Sequence, residues 1–218
     1  MSTASATRSP QKLIRFIWPV VLGALLVAMA MDTTFLSTEE AAATKSAEFD
    51  ATTFVSDEYP KIVQAIETNS TDLEEVVAAV AADPAAAGET FGHVAGTDKH
   101  AIPVRFTGKV SETDAAFLTI DVAGLPEGSV VRVALGQAVN GTALRAAPGT
   151  IKFEDFQNQT DYQQVANELK SMTLEQVAGK VDAASWKAKS VSVVGVYVTN
   201  TGPEDSYLVT PVTIEAVN

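Results

Sequence analysis

Five segments in which apolar and polar residues alternate, a pattern typical of β-strands, follow one another after Gly92. Three come first, a helical pattern of Tyr162, Val165 and Leu169 follows, and two more end the chain. The segments are AIPVRFTGKV, AFLTIDVAG, SVVRVALGQAV, KSVSVVGVYVTN and YLVTPVTIEAVN. An OB-type barrel has this order, with a helix after the third of its five strands. We therefore predict an α+β protein with an OB-like five-stranded antiparallel β-barrel over residues 92–218; a plain antiparallel sheet covered by a helix is the alternative.

Residues 136–159 form an insertion between the third strand and the helix that a minimal barrel does not need. Connections longer than about 12–15 residues inside a compact domain are usually functional or disordered. Ile151, Phe153 and Phe156 can anchor this one, so we predict an ordered loop. It is part of the densest polar and aromatic stretch of the chain, which makes it the candidate site.

Helical patterns precede the barrel, over residues 32–91. Asp50 is placed to cap a helix whose apolar stripe runs to Ile66. Thr71 begins a TDLE sequence with the spacing of a capping box, which predicts another helix that ends before Pro84. We interpret these amphipathic helices as packing surfaces.

An apolar stretch near the N-terminus is the clearest functional signal. Residues 16–31 carry no charge, and with Leu13 and Ile14 the stretch reaches 19 residues. A membrane-spanning helix needs roughly 20. Basic residues precede the stretch and acidic residues follow it, so the positive-inside rule leaves residues 1–12 as a cytoplasmic tail. We predict a single-pass signal anchor at residues 13–31, with the following domain outside the cytoplasm.

The same stretch also fits a signal peptide, because Ala28, Met29 and Ala30 match the small-x-small cleavage pattern. The apolar run is longer than the usual core of about 7–15 residues in a signal peptide, which favours the anchor. Cleavage near Ala30 would instead give a secreted protein. Both interpretations place the folded domain in the periplasm or on the outer surface.

Composition argues against several classes of function. The chain has no cysteine, and its two histidines are His93 and His100, so we predict neither thiolate catalysis nor a metal site. No cofactor motif is present. Residues 32–218 contain 12 basic and 27 acidic residues, a net charge of −15. A field of that sign repels a phosphate backbone, so we expect no nucleic-acid partner.

The stretch NGTALRAAPGTIKFEDFQNQTDY, residues 140–162, supplies the candidate ligand or partner surface. Arginine, amides and an aromatic ring suit sugar hydroxyls or a peptide carboxylate. The structural alternative is that Arg145 pairs with Asp155 or Asp161, that Asp155 caps the next helix, and that the amides satisfy the loop backbone. No Ser-His-Asp set can be assembled, so we predict no catalytic residue. The candidates are Asn140, Thr142, Arg145, Asp155, Asn158, Gln159 and Tyr162.

Four segments carry a further signal: FTGKV, NGTALRAAPGTIKFEDFQNQTDYQQVANEL, GVYVTN and LVTPVTIEAV. They resemble a domain-of-unknown-function family of predicted bacterial periplasmic lipoproteins. The resemblance covers most of residues 35–218 and is strongest over residues 141–169. Members of that family are often encoded beside sugar ABC transporters, so the resemblance implies an envelope protein accessory to sugar uptake. It implies no catalytic activity.

Two departures from the family pattern bear on the anchor and on Arg145. Because the chain has no cysteine for a lipid, the apolar segment itself must act as the anchor. The family tends to have an acidic residue directly after the Leu-Arg pair, where this chain has Ala146. Arg145 then needs another acid, and Asp155 is the candidate.

Three functions follow from these observations. The first is a membrane-anchored accessory or binding protein whose partner is an ABC transporter permease, a solute-binding protein or a sugar. The OB-fold binding loops would be SETD and TNTGPEDS here, both acidic, which disfavours polyanions. The second is a carbohydrate-acting hydrolase that pairs Glu154 or Asp155 with Asp161 at the roughly 5–9.5 Å that glycosidases use. The third is a structural envelope protein without a ligand.

Overall fold

The computed structural model describes Leu22, Gly23, Leu25, residues 49–203 and residues 205–217. The described residues from 49 onward form one compact unit, which contains the barrel. The predicted cytoplasmic tail at 1–12 lies outside the described residues, as does all but three residues of the predicted membrane segment at 13–31. No helix in the described part of the chain has both the length and the apolar character that crossing a membrane requires.

Five strands close into a barrel in the predicted order. They are β3 Lys99–Thr113, β4 Phe117–Asp121, β5 Val130–Ala134, β6 Ser190–Val198 and β7 Ser206–Val217. In space they follow the order β3-β4-β5-β7-β6, and β6 pairs back onto β3. Since every barrel strand then has two neighbours, the OB-like topology predicted from the sequence is present.

One pair of barrel strands is parallel, so the prediction of a purely antiparallel barrel is wrong. Strand β7 runs antiparallel to β6 but parallel to β5, with Val131 opposite Tyr207 and Val133 opposite Val209. A closed ring with an odd number of strands cannot alternate in direction all the way round. Five strands therefore require at least one parallel pair.

Two short strands extend the sheet to seven, and the sequence patterns did not predict them. Strand β1 (Thr71–Asp72) pairs parallel with β3, and strand β2 (His93–Gly96) pairs antiparallel with it. Because β3 has 15 residues, its long edge is covered in turn by β2, β1 and β4. The predicted capping box at Thr71 is wrong: this residue lies in β1, and Asp72 precedes the helix without a side-chain cap.

Helices close both ends of the barrel. Helices α2 (Leu73–Ala82) and α3 (Pro84–Phe91) precede β2. Within α2, Leu73, Val76 and Val77 are buried in the barrel core. At the other end a 3-10 turn, Ala178–Lys180, and the part of the chain around Trp186 pack against the same core.

A second apolar core lies outside the barrel wall. It joins α1 (Ala51–Asn69), α4 (Gly141–Ala146) and α5 (Gln159–Gln176) to residues of β3, β6 and β7. The predicted cap of α1 is confirmed, since the Asp50 side chain accepts hydrogen bonds from the backbone N–H groups of Thr52 and Thr53. The Tyr59 hydroxyl lies 3.2 Å from the Thr173 hydroxyl and ties α1 to α5. The insertion is thereby held between the barrel and two helices.

Candidate functional site

The insertion at residues 136–159 contains a short buried helix where the sequence predicted a loop. Asn140 caps helix α4, because its side chain accepts from the N–H groups of Thr142 (3.0 Å) and Ala143 (3.2 Å). The Asn140 N–H in turn donates to the Thr210 hydroxyl at 3.2 Å, which fixes the start of α4 on β7. Leu144 is fully buried in the second apolar core, the one outside the barrel wall, here called the outer core. Most of α4 is therefore packing surface.

Helices α4 and α5 approach each other closely at Gly141. A Cβ atom at this position would overlap the backbone carbonyl oxygen of Ala166. Glycine is the residue type that lets two helix backbones come this near. The contact sets the distance between the two helices, and hence the shape of the surface between them.

Arg145 points into the protein and contacts Tyr162. Its side chain is only 6% exposed. The guanidinium carbon lies 3.4 Å from the centroid of the Tyr162 ring, and Nη1 donates to the Tyr162 backbone carbonyl. Within the described residues Arg145 forms no ion pair, so the predicted pairs with Asp155 and Asp161 are wrong. The electron-rich ring face and the carbonyl at the first turn of α5 take the place of an acid.

Burial decides the electrostatics of this arginine. Desolvation lowers the pKa of Arg145, while the contact with Tyr162 acts in the opposite direction. A guanidinium stays protonated at any physiological pH. Its Nε atom is buried without a hydrogen-bond partner in the described part of the chain. Arg145 therefore acts as a permanent internal cation.

Aromatic rings surround the Arg145–Tyr162 contact. The Tyr162 ring meets Phe153 and Phe156 at centroid distances of 5.5 and 5.4 Å. Phe156 also meets Phe49 and Phe54 at 5.4 and 5.7 Å. These tilted and edge-on contacts extend the outer core to the start of α1. Ile151 and Phe156 therefore anchor the insertion, as predicted, whereas Phe153 touches Tyr162 but is 53% exposed.

Asp155 and Asn158 satisfy backbone groups near their own positions. The Asp155 carboxylate accepts from the Lys152 N–H at 3.0 Å and stabilises a 3-10 turn, Phe153–Asp155. Asn158 caps α5, because its side-chain oxygen accepts from the Asp161 N–H at 2.9 Å. The prediction that Asp155 caps this helix is wrong, since the residue directly before α5 already does so.

The exposed part of the candidate site is a groove between α4 and α5, here called the amide groove. Its volume is about 360 Å3. Lys170 reaches across it and donates to the Gln137 backbone carbonyl at 2.8 Å. The side chains of Gln163 and Asn167 have no hydrogen-bond partner among the described residues. The lining side chains that carry polar groups are Gln137, Asn140, Thr142, Gln163, Asn167 and Lys170.

The groove continues along α5 toward its N-terminus. A second concave surface of about 360 Å3 shares Gln163 and Asn167 and adds Gln159. Carboxamides carry both donors and acceptors, so this surface can bind hydroxyl or peptide groups without a charge. The positions 159, 163, 167 and 170 are spaced three and four apart, as on one face of a helix. That spacing was visible in the sequence and could have identified Gln163, Asn167 and Lys170.

The structure thus divides the seven candidate residues into three sets. Asn140, Thr142 and Gln159 line the groove and its continuation. Arg145 and Tyr162 contact each other inside the protein. Asp155 and Asn158 cap local backbone.

The carboxylates considered for hydrolysis are engaged locally. Asp161 accepts from the Asn158 amide nitrogen at 2.9 Å, and Glu154 lies 3.8 Å from the Lys152 ammonium. Asp155 accepts from the Lys152 backbone, as described above. In the described part of the chain, no three His, Asp or Glu side chains converge as a metal site would require.

The closed five-stranded barrel, with a helix after its third strand, defines an OB-fold protein with helices added at both ends and on one wall. The chain belongs to the family described as "predicted periplasmic lipoprotein (DUF2291)", which matches residues 21–215. The family description therefore agrees with the extracytoplasmic location that the sequence resemblance implied. The finer prediction of a single-pass anchor falls, except for Leu22, Gly23 and Leu25, on residues that the structure does not describe.

A solved structure shares this fold. It is the crystal structure of an OB-fold protein from Thermotoga maritima, with a TM-score of 0.65 and 18% sequence identity. The similarity covers 78% of this chain and 99% of that one. At this level of identity the likeness concerns the fold alone. No curated protein matches the chain.

Proposed function

We propose that this protein is an extracytoplasmic accessory protein, held at the cell membrane by residues 13–31, that presents the amide groove to a partner. The charge-free run at residues 16–31 and membership of a family described as periplasmic lipoproteins support the location. Without a cysteine to carry a lipid, the apolar segment supplies the anchor. The domain from residue 49 onward then faces away from the cytoplasm.

The amide groove is the observation that carries the binding role. Gln163 and Asn167 are exposed, line a concave surface and have unpaired amide groups within the described structure. Arg145, in contrast, is buried and serves packing. The partner we favour is a component of a sugar transporter, a permease or a solute-binding protein, or the sugar itself. The carboxamides of Gln163 and Asn167 can pair with peptide and hydroxyl groups, and the Lys170 ammonium in the same groove donates to the Gln137 carbonyl.

A structural role without a ligand is the second candidate, and the burial of α4 favours it. Ala143, Leu144 and Arg145 are all inaccessible or nearly so. An insertion that only completes the outer core needs no partner.

Site-specific crosslinking in living cells separates the two. A photoreactive amino acid is placed at Gln163, at Asn167 and, as a control, at the exposed Glu127 in the β4–β5 connection. The accessory role predicts one discrete crosslinked protein at Gln163 and Asn167 and none at Glu127. Equal products at all three positions, or none at any, would contradict it.

The membrane anchor is tested separately. We expect the intact chain to remain in the membrane fraction after an alkaline wash and to be digested by protease added to spheroplasts. An N-terminus beginning near residue 31, read by mass spectrometry, would show that the segment is a cleaved signal peptide instead.

A further inference from the structure

The second half of strand β7 has a free edge. Strand β5 pairs with β7 only over residues 206–209, whereas β6 pairs with it over residues 209–217. Among the described residues, no strand pairs with the outer side of residues 211–217. Pro211 lies where the pairing with β5 has ended, and proline within a sheet is confined to edges, strand ends and bulges. Residues 213–217, here called the β7 edge, are all at least partly exposed.

The β7 edge presents backbone groups that the sheet does not use. In an antiparallel pair, every second residue directs its N–H and C=O groups away from the neighbouring strand. Outside the pairing with β6, no backbone–backbone hydrogen bond reaches residues 213–217 in the described part of the chain. A row of such donors and acceptors is the template on which an extended peptide adds as a further strand.

A cleft lies beside the β7 edge. Its volume is about 200 Å3, and it is lined by residues 212–215 of β7 and by residues of the segment 176–186. Val181 and Trp186 supply apolar surface in this lining, and both also pack against the barrel core. Where an added strand contacts such a surface, the main chain supplies affinity and the alternate side chains supply specificity.

The charge beside the β7 edge is opposite in sign to that of the whole chain. The chain has a net charge of −12, whereas residues 177–190 contain three lysines and one acid. The lysines are Lys180, Lys187 and Lys189, all of them exposed. Lys180 lines the cleft, and Glu215 is the carboxylate among the described residues of the lining. Even with Glu215 counted, this surface carries an excess of positive charge, which favours a partner with acidic residues.

We propose that the β7 edge binds an extended segment of another protein, which adds to the sheet as a strand and carries acidic residues at alternate positions. The backbone of the segment pairs with residues 213–217. Its side chains on one side contact Trp186, and its carboxylates lie near the lysines. A second copy of this chain suits the edge less well, because it would bring two lysine-rich segments together. The cleft shares no lining residue with the amide groove, so this interaction goes beyond the accessory role proposed above.

Amide NMR titration of the full-length protein in detergent tests the proposal. The probe is a blocked heptapeptide that alternates valine and glutamate, and its counterpart alternates valine and lysine. We expect the glutamate peptide to shift the amide signals of residues 213–217 and to slow their hydrogen exchange. It should bind roughly tenfold more tightly than the lysine peptide. No binding, equal binding of the two peptides, or shifts confined to the amide groove would overturn the proposal.

Two modified peptides test whether the backbone is recognised. One carries N-methyl groups on its valines and the other on its glutamates. Only one side of an added strand faces β7, so one modification should abolish binding and the other should leave it largely intact. Binding that survives both modifications would exclude strand addition.

Variants of the protein complete the test. Lys180→Glu should weaken binding of the glutamate peptide roughly tenfold in a protein that melts normally, because the Lys180 side chain is exposed. Lys99→Glu, an equally charged change at the exposed start of β3, and Gln163→Ala, in the amide groove, should leave peptide binding unchanged. Equal effects of the two lysine variants would contradict the site. A dimer, seen by light scattering, that the peptide dissociates would make a second copy of this chain the occupant and overturn the proposal.

Discussion

The guanidinium of Arg145 lies 3.4 Å from the centroid of the Tyr162 ring and donates a hydrogen bond to the backbone carbonyl of the same residue. One side chain of α4 thus contacts both the ring and the main chain of the first turn of α5. The contact joins the insertion to the long helix through a cation–π interaction and a charge-assisted hydrogen bond.

Removing Arg145 should destabilise the protein far more than removing Asp155. We expect Arg145→Ala to lower the free energy of unfolding by about 2–3 kcal/mol, because it removes a stacked cation and leaves a cavity beside Tyr162. Asp155→Ala, which removes only a local cap, should cost about 0.5–1 kcal/mol. Urea denaturation of both single variants and the double variant measures this. If the two single variants lost the same free energy of unfolding and the double variant lost no more than either, Arg145 and Asp155 would be paired after all.

Adding one methyl group at Gly141 should disrupt the contact between α4 and α5. Gly141→Ala places a Cβ on the Ala166 carbonyl oxygen. The clash is with backbone rather than with a flexible side chain, so the two helices must move apart to relieve it. We expect a loss of about 3 kcal/mol, at the upper end for overpacking. Gly96→Ala is the control, since its nearest neighbour is the Lys99 Cβ at 4.0 Å. Similar melting temperatures for the two variants would contradict the close approach.

Asn140 should tolerate aspartate but not alanine if its role is to cap α4. Asn140→Ala removes the acceptor for two N–H groups and should cost about 1 kcal/mol. Asn140→Asp keeps an acceptor and should melt near the native temperature. If Asn140→Asp also keeps its crosslinking partner, this residue acts only as a cap. Loss of the crosslink at normal stability would make it part of the binding surface.

Stability should fall at alkaline pH through Tyr197. Burial, and then the neighbouring Tyr207, raise its pKa from 10.0 to about 12 in the folded protein. Below pH 10 the phenol is neutral in both the folded and the unfolded state, so stability does not depend on it. Above pH 10 the unfolded state ionises first, and the free energy of unfolding falls as the pH rises through about 12. Tyr197→Phe should flatten that decline. Denaturation at a series of pH values checks this, and an unchanged slope in the variant would show that other groups dominate.

The sequence predicted the barrel well because local patterns report on strands and on their order. Alternation over five segments and a helix at the fourth position were sufficient for the OB topology. The cap of α1 at Asp50 was also predictable, since a helix N-cap involves only neighbours in the chain. The alternating patterns carry no information on strand direction, so they did not predict the parallel β5–β7 pair that closing five strands requires.

The candidate site was predicted less well, because its chemistry depends on contacts between distant positions. Charge suggested an acid for Arg145, whereas the barrel and α5 place an aromatic ring there. The spacing of Gln163 and Asn167 on one helix face was visible in the sequence, but the groove that they line exists only because α4 lies beside α5. The rings of Tyr197 and Tyr207 lie 5.6 Å apart because β6 and β7 pair in the register that the structure shows.

By itself, the sequence determined the order of strands and helices, the apolar N-terminal run, the absence of cysteine chemistry and the acidic field, since each is a property of composition or of near neighbours. Only the tertiary structure decided which polar side chains face inward, which line a groove and which lack a partner. Those outcomes depend on which helices and strands pack against each other, and the residues in contact lie far apart along the chain.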